Sequence, residues 1–247
     1  MTTGNTARTV LAAPPGPALS RPRRLAAVVF DFDGTLAELT IDFGEMKQRV
    51  ADLAAAYLPA RPEPGPMPVL EWLDDLAAKL AAGDPSHGPD KAAELRERGL
   101  ALVEAIERDA AMRGALFPYT RPVLRALAQA GVRTGIITRN CHAAVTVVFP
   151  DALGLCGCLL ARDHVARVKP DPSHLLQALL ALGCAPEEAL MVGDHPMDIE
   201  TGRKAGTWTA AVASGRVDLN ELLARGPDYG ATDCEALLDL LTTQCLL

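Results

Sequence analysis

The chain reads LAAVVFDFDGT from Leu25 to Thr35, and this stretch decides the fold. Its first six residues are apolar and include β-branched valines, a pattern typical of a strand buried on both faces of a parallel sheet. Asp31 and Asp33 follow as the strand ends, and residues two apart in an extended segment point the same way. Two such carboxylates repel each other unless a cation or a proton intervenes. The stretch therefore predicts a buried strand that ends in a charged site.

Downstream of Phe117, strand and helix patterns alternate. Strands are predicted at residues 132–138, 157–160, 189–192 and 208–212, and helices at 121–129, 140–149, 172–182, 198–205 and 233–241. This alternation predicts an α/β fold, a Rossmann-like doubly wound parallel sheet with helices on both faces. Ligands bind such sheets beyond the carboxyl ends of the strands, where Asp31, Thr138 and Asp194 are expected.

Residues 37–116 differ, because apolar residues keep helical spacing there and no strand signal appears. Helices are predicted near 42–58, 69–82 and 90–112. The expected organisation is a core domain of residues 23–36 and 117–247, interrupted by an all-helical domain and preceded by a flexible tail at residues 1–22.

Composition restricts the functional classes. The 247 residues are 49% hydrophobic, which allows a sizeable core, and their net charge of −7 argues against binding nucleic acid. No stretch approaches the roughly 20 apolar residues needed to span a membrane. The six cysteines form no CxxC pair and are expected to be free thiols of a reducing compartment. A cytoplasmic monomer or homodimer is the expectation.

Two polar residues downstream could bind an anion. Thr138 ends a predicted strand, and its hydroxyl can donate a hydrogen bond to a phosphoryl oxygen, although a threonine before an asparagine-capped helix is also ordinary. Lys169 lies in the VKPDP segment at 168–172, where two prolines restrict the backbone and hold the cation in place. Such a cation would offset the charge of nearby carboxylates and of a substrate. The alternative is a solvated turn before a helix.

The last motif, VGDHPMD at 192–198, places two more carboxylates after a strand. Gly193 permits close backbone approach, while Asp194 and Asp198 flank a helix that starts near Pro196. Oxygen ligands of this kind suit Mg²⁺, which binds one or two protein carboxylates together with a substrate phosphate. Asp198 alone could instead be an acid favoured by the helix dipole.

These motifs, taken in their order along the chain, resemble the motif set of the haloacid dehalogenase superfamily. The order is an aspartate pair (Asp31 and Asp33), a threonine (Thr138), a lysine (Lys169) and a second aspartate pair (Asp194 and Asp198). The resemblance covers residues 25–242 and is closest to phosphoglycolate phosphatase-like members with a helical cap after the first motif. It implies a Mg²⁺-dependent phosphatase acting on a small phosphorylated metabolite, with the segment at 37–116 as the cap. Hinges are then expected near Ala37–Leu39 and Ala115–Tyr119.

The resemblance also implies a role for each motif residue. Asp31 would be the nucleophile that forms an aspartyl-phosphate, and Asp33 the general acid and then the base. The residues implied in phosphate binding are Thr138, Arg139, Asn140 and Lys169. Mg²⁺ would be bound by the Asp31 and Asp194 carboxylates and the Asp33 backbone carbonyl, and Asp198 would support the site through Lys169 or a metal-bound water.

Two residues and two functions remain open at this stage. His195 stands where a small serine is common in relatives, and Arg139 could face solvent instead of an anion. A phosphomutase of the same fold would use the same residues, but no cap group for the return of the phosphoryl is identifiable at 37–116. A non-catalytic binding or regulatory protein is the other alternative, although such proteins usually lose a catalytic acid and Asp31 and Asp33 are both present.

Overall fold

The computed structural model describes residues 11–12, 24–83 and 86–247. The chain divides into two compact units. One unit is Thr40–Arg113, and the other contains the described residues up to Leu39 together with Gly114–Leu247. The tail predicted at residues 1–22 lies outside the described residues except for Leu11–Ala12, which form a short strand.

The larger unit is built on a sheet with six parallel strands. These strands are β2 (Ala27–Phe30), β5 (Arg133–Ile137), β6 (Cys158–Leu160), β7 (Ala189–Gly193), β8 (Trp208–Val212) and β9 (Tyr229–Ala231). Their order across the sheet is β6-β5-β2-β7-β8-β9, and β1 (Leu11–Ala12) pairs antiparallel with β9. The strand that ends at Asp31 is therefore central, with β5 on one side and β7 on the other.

Helices cover both faces of this sheet. They are α4 (Thr120–Gln129), α5 (His142–Val148), α6 (Pro172–Leu182), α7 (Pro196–Ala205), α8 (Leu219–Leu223) and α9 (Cys234–Thr243). Alternate residues of β2 belong to different cores: Val28 and Phe30 pack in one cluster, and Ala27 and Val29 pack in the other. This two-sided burial confirms the predicted doubly wound α/β fold. The sequence did not predict β9 or α8.

The smaller unit contains three helices, α1 (Phe43–Ala54), α2 (Val69–Gly83) and α3 (Gly88–Ala111). Asp42 caps α1 by accepting a hydrogen bond from the Glu45 backbone amide at 2.9 Å. Helices α2 and α3 approach closely at Gly99, where a Cβ would lie only 2.5 Å from a Leu73 methyl carbon. The unit therefore has a packed core of its own.

Two short strands correct the expectation that residues 37–116 contain helix only. Strands β3 (Ala37–Glu38) and β4 (Ala115–Leu116) pair antiparallel at the two ends of that segment. Strands of two residues carry no periodic signal, and these are held by long-range contacts such as the bond from the Phe117 amide to the Leu36 carbonyl at 3.0 Å. The hinges expected at these positions stay a prediction.

Two further expectations concern the cysteines and the membrane. All six cysteines are free. Within the described residues, every helix is too short or too polar to cross a bilayer.

Candidate active site

The pairing register of the sheet brings the motif residues to one edge. Phe30, the last residue of β2, lies opposite Ile136 of β5 and Val192 of β7. Since the three strands are parallel, the residues that follow them emerge on the same side. Asp31, Thr138 and Asp194 therefore converge, as the sequence predicted from strand ends.

A buried lysine connects two of the carboxylates. The Lys169 ammonium Nζ lies 2.6 Å from Asp31 Oδ1 and 2.7 Å from Asp198 Oδ1. The side chains of Lys169 and Asp198 are each only 2% exposed. Charges removed from water to this degree must be paired, because an isolated buried ion costs several kcal/mol. The lysine turn thus belongs to the same site as the strand-end aspartates.

The site holds more negative than positive charge. Oxygens of Asp31, Asp194 and Asp198 all lie within 4.8 Å of one another. Burial, together with the neighbouring charges of Asp31 and Asp198, raises the pKa of Asp194 to about 8, although the charge of Lys169 opposes the shift. Burial also raises the pKa of Asp31 despite the opposing charge of Lys169. For Lys169, burial lowers the pKa, but the charges of Asp198 and Asp31 outweigh it and the net shift is upward.

This excess of buried carboxylate fits a divalent cation. Asp198 has both oxygens engaged, since Oδ1 accepts from Lys169 at 2.7 Å and Oδ2 accepts from the His195 amide at 3.1 Å. Asp194 uses Oδ1 to accept from the Thr35 hydroxyl at 3.3 Å. Asp31 and Asp194 are therefore the carboxylates suited to a hard cation such as Mg²⁺, whereas Asp198 holds the lysine.

Three glycines make room for the acids. A Cβ at Gly215 would lie 1.8 Å from Asp194 Oδ2, and one at Gly34 would lie 2.4 Å from the same oxygen. A Cβ at Gly193 would lie 2.2 Å from the carboxyl carbon of Asp198. Sequence reasoning identified Gly34 and Gly193 but missed Gly215, which follows β8 in a segment without a recognisable motif.

Asp33 has a separate set of partners. The Asn140 side-chain amide Nδ2 donates to Asp33 Oδ1 at 3.1 Å and to Oδ2 at 3.2 Å, and the Thr138 hydroxyl donates to Oδ2 at 3.4 Å. Asn140 was wrongly predicted to cap α5. Its amide is directed towards Asp33, and Cys141 caps the helix instead by accepting from the Ala144 amide at 3.4 Å.

The two residues left open by the sequence both have structural partners. The Arg139 guanidinium donates a short hydrogen bond to the Lys169 carbonyl, so this side chain contacts the lysine turn. His195 caps α7, where its Nδ1 accepts from the Met197 amide at 3.1 Å. Burial lowers the pKa of His195.

Two other residues that sequence reasoning missed hold the loop after β2. The Ser214 hydroxyl donates to the Gly34 carbonyl at 2.7 Å, and the Tyr119 hydroxyl donates to the Thr35 carbonyl at 3.1 Å. These contacts join segments 180 and 84 residues apart, respectively, so no local pattern could have indicated them.

Comparison with known proteins places this geometry in a family. The model of the haloacid dehalogenase-like hydrolases matches residues 25–206. The chain is 34% identical to an N-acetylmuramic acid 6-phosphate phosphatase of Pseudomonas putida, over 78% of this chain and 85% of the relative. It is 28% identical to a phosphoglycolate phosphatase of Nitrosospira multiformis, over 89% and 94% respectively. A hydrolase structure from Pseudomonas syringae superposes with a TM-score of 0.60 at 20% identity, covering 88% of this chain and 98% of that one.

The buried ion pair generates a first prediction. Lys169→Met leaves Asp31 and Asp198 without their cation, and loss of one partner of a buried pair typically costs about 3–5 kcal/mol. We expect a decrease of that size in the free energy of unfolding, measured with urea in the presence of a chelator. Lys204 is the matched control, because its surface pair with Glu200 is about half exposed and worth less than about 1 kcal/mol. Equal losses in Lys169→Met and Lys204→Met would contradict the assigned role of the buried pair.

Proposed function

The chain belongs to the haloacid dehalogenase-like hydrolase family as a phosphoric monoester hydrolase, and we propose that it cleaves a small phosphorylated metabolite with Asp31 as nucleophile. The observation that carries the proposal is the Lys169 ammonium at 2.6 Å from Asp31, with Asp194 and Asp198 in the same cluster. A carboxylate held beside a fixed cation at a sheet edge is suited to attack an anionic phosphate.

The proposed reaction has two steps. An Asp31 carboxylate oxygen forms a bond to phosphorus while the bond from phosphorus to the leaving oxygen breaks, and Asp33 gives its proton to that oxygen. A water then attacks the phosphorus of the aspartyl-phosphate and loses its proton to Asp33. The bond between phosphorus and the Asp31 oxygen breaks, which releases inorganic phosphate and restores both aspartates.

Four residues are proposed to hold the phosphoryl oxygens: Thr138, Arg139, Asn140 and Lys169. Thr138 and Asn140 also contact the Asp33 carboxylate, which supports a second task for them, the orientation of the acid. Arg139 contacts the Lys169 carbonyl, so it would act on phosphate with the lysine turn already in place.

Mg²⁺ is the proposed cofactor, held by the Asp31 and Asp194 carboxylates and the Asp33 backbone carbonyl. When bound, the ion supplies positive charge that shields the anionic nucleophile from the anionic substrate. Asp198 is proposed to keep Lys169 in position, in keeping with its two engaged oxygens.

The helical unit Thr40–Arg113 is proposed to act as the cap that selects the substrate. The names of the relatives include phosphatases for N-acetylmuramic acid 6-phosphate and for phosphoglycolate. A substrate panel that includes both compounds, assayed for phosphate release and for isomeric products, would identify the substrate. Release of one phosphate for each substrate consumed, without an isomer, would exclude a phosphomutase.

The nucleophile assignment predicts the effect of Asp31→Asn. We expect kcat for Mg²⁺-dependent hydrolysis of p-nitrophenyl phosphate to fall by more than about 10⁴-fold, as loss of a catalytic nucleophile does. Asp239→Asn, which removes an exposed carboxylate from α9, should retain the native rate. If Asp31→Asn hydrolyses the substrate as fast as the native chain, Asp31 is not the nucleophile.

The two tasks of Asp33 predict a burst. In Asp33→Asn, p-nitrophenolate can leave without protonation, so one equivalent of p-nitrophenol per chain should appear quickly and be followed by slow turnover. Loss of a general acid or base costs about 10²–10⁴-fold in rate. A simple alkyl phosphate, whose leaving oxygen needs the proton, should give no burst. Native turnover of the alkyl phosphate by this variant would refute the role of Asp33.

The close approach of Gly215 to Asp194 predicts an effect on metal affinity. A methyl group at this position would displace the Asp194 carboxylate, because the two would lie 1.8 Å apart. We expect Gly215→Ala to weaken Mg²⁺ binding about 10-fold or more by calorimetry, the range for a disturbed metal-site support. Gly154→Ala is the control, since no atom lies within 4 Å of its Cβ position. Equal Mg²⁺ affinity in both variants would argue against Asp194 as a ligand.

A further inference from the structure

A fully buried histidine lies behind the lysine turn, and none of the proposed steps uses it. His174 is on the first turn of α6 and is 0% exposed. Its Nδ1 is 3.3 Å from the Lys169 backbone nitrogen, and its Nε2 is 3.0 Å from the Leu160 carbonyl oxygen. A carbonyl can only accept, so Nε2 carries the proton, and Nδ1 of the neutral ring accepts from the Lys169 amide.

The Leu160 carbonyl links His174 to a second part of the site. This oxygen also accepts from the Thr138 backbone amide at 3.1 Å. One imidazole therefore connects the backbone of Lys169 to the end of β6 and, through a shared carbonyl, to the backbone of Thr138. Thr138 follows β5 and Lys169 precedes α6, so this connection joins two of the proposed phosphoryl-binding residues that come from different loops.

The remaining bonds of Lys169 make this connection important. The carbonyl of Lys169 accepts a hydrogen bond from Arg139. The ammonium of Lys169 contacts Asp31 and Asp198. Pro170, which follows, has no amide hydrogen to give. The His174 bond thus satisfies the backbone amide of Lys169 and fixes where its side chain begins.

We infer that His174 is a positioning residue that sets the spacing between Lys169 and Thr138. This inference rests on the proposed function, because it gives the spacing a role in phosphoryl transfer. Burial lowers the pKa of His174 to about 4, although its bond to Leu160 opposes the shift, and the neutral ring that the two hydrogen bonds require is therefore the form present near pH 7. A histidine that only filled the core would be replaceable by leucine, because its two hydrogen bonds would then have no role in activity.

The test compares three substitutions of His174 that keep different parts of its hydrogen-bonded connection between Lys169 and Leu160. His174→Asn keeps an acceptor near the Nδ1 position, His174→Gln keeps a donor near the Nε2 position, and His174→Leu keeps neither. We expect kcat to decrease from the native chain to His174→Asn and then to His174→Gln, with His174→Leu equal to or lower than His174→Gln. The kcat of His174→Leu should be reduced about 10-fold or more, while KM changes less than about threefold. Gln177→Leu, at an exposed position of the same helix, is the control.

Thermal unfolding separates positioning from folding. A role in positioning predicts that the order of kcat holds whatever the order of melting temperatures. The inference is overturned if His174→Leu has native kcat, or if the kcat of His174→Gln equals or exceeds that of His174→Asn. The proposed function fails on a different result, namely a native chain no more active than Asp31→Asn.

Nitrogen NMR of the native chain keeps the test independent of variants that do not fold. With ¹⁵N-labelled histidine, His174 should show a protonated Nε2 and an unprotonated Nδ1, with coupling from Nδ1 to the Lys169 amide nitrogen across the hydrogen bond. A protonated Nδ1 would overturn the inference whatever the activity measurements show.

Discussion

The ion pairs of the Lys169 ammonium with Asp31 and Asp198 are the interactions on which the site depends. With side-chain exposure of 2% at Lys169 and 12% at Asp31, neither charge can rely on water. One ammonium nevertheless faces three carboxylates, so the pair leaves Asp194 uncompensated, and burial raises its pKa to about 8. A site with this excess of negative charge favours the binding of a cation, and its carboxylate oxygens suit a divalent cation. The same lysine therefore stabilises Asp31, the proposed nucleophile, and leaves an excess of negative charge that the proposed Mg²⁺ would offset.

Hydrogen bonding separates the tasks of two aspartates that sequence alone would treat alike. Asp194 and Asp198 lie four residues apart around the start of α7, and both are buried. Both oxygens of Asp198 are hydrogen-bonded, Oδ1 to the Lys169 ammonium and Oδ2 to the His195 amide. Asp194 instead packs closely against Gly34 and Gly215, whose missing side chains leave room for its carboxylate. The hydrogen bonds of Asp198 suit it to holding Lys169, whereas Asp194, packed against glycines, fits the proposed role of metal ligand.

The sequence predicted those parts of the site that follow from local patterns and missed those that depend on tertiary contacts. The strand ends of Asp31, Thr138 and Asp194 follow from apolar runs bounded by polar residues, and parallel pairing then makes their convergence necessary. Gly215 and Ser214 act through contacts with residues distant in the sequence, and nothing in their own surroundings marks them. His174 contacts Lys169 and Leu160, which are only 5 and 14 residues away, but no periodic pattern indicates these bonds. For Asn140 a local pattern was present but misleading. Asparagine is a good capping residue by local preference, but the Asn140 side chain bonds to Asp33, and Cys141 caps the helix. The short elements β3, β4, β9 and α8 have too few residues to show a period.

The division of the chain into two units fits the proposed separation of phosphoryl chemistry from substrate selection. Asp31, Lys169 and Asp194 all belong to the α/β unit, as do the residues that hold them. The helical unit has buried residues of its own, with Leu73 of α2 packed against Gly99 of α3. Substitutions on the surface of the helices can therefore accumulate without displacing Lys169 or its partners. In the proposed function, the sheet edge carries out the chemistry of the phosphoryl group, whereas the helical unit recognises the leaving group.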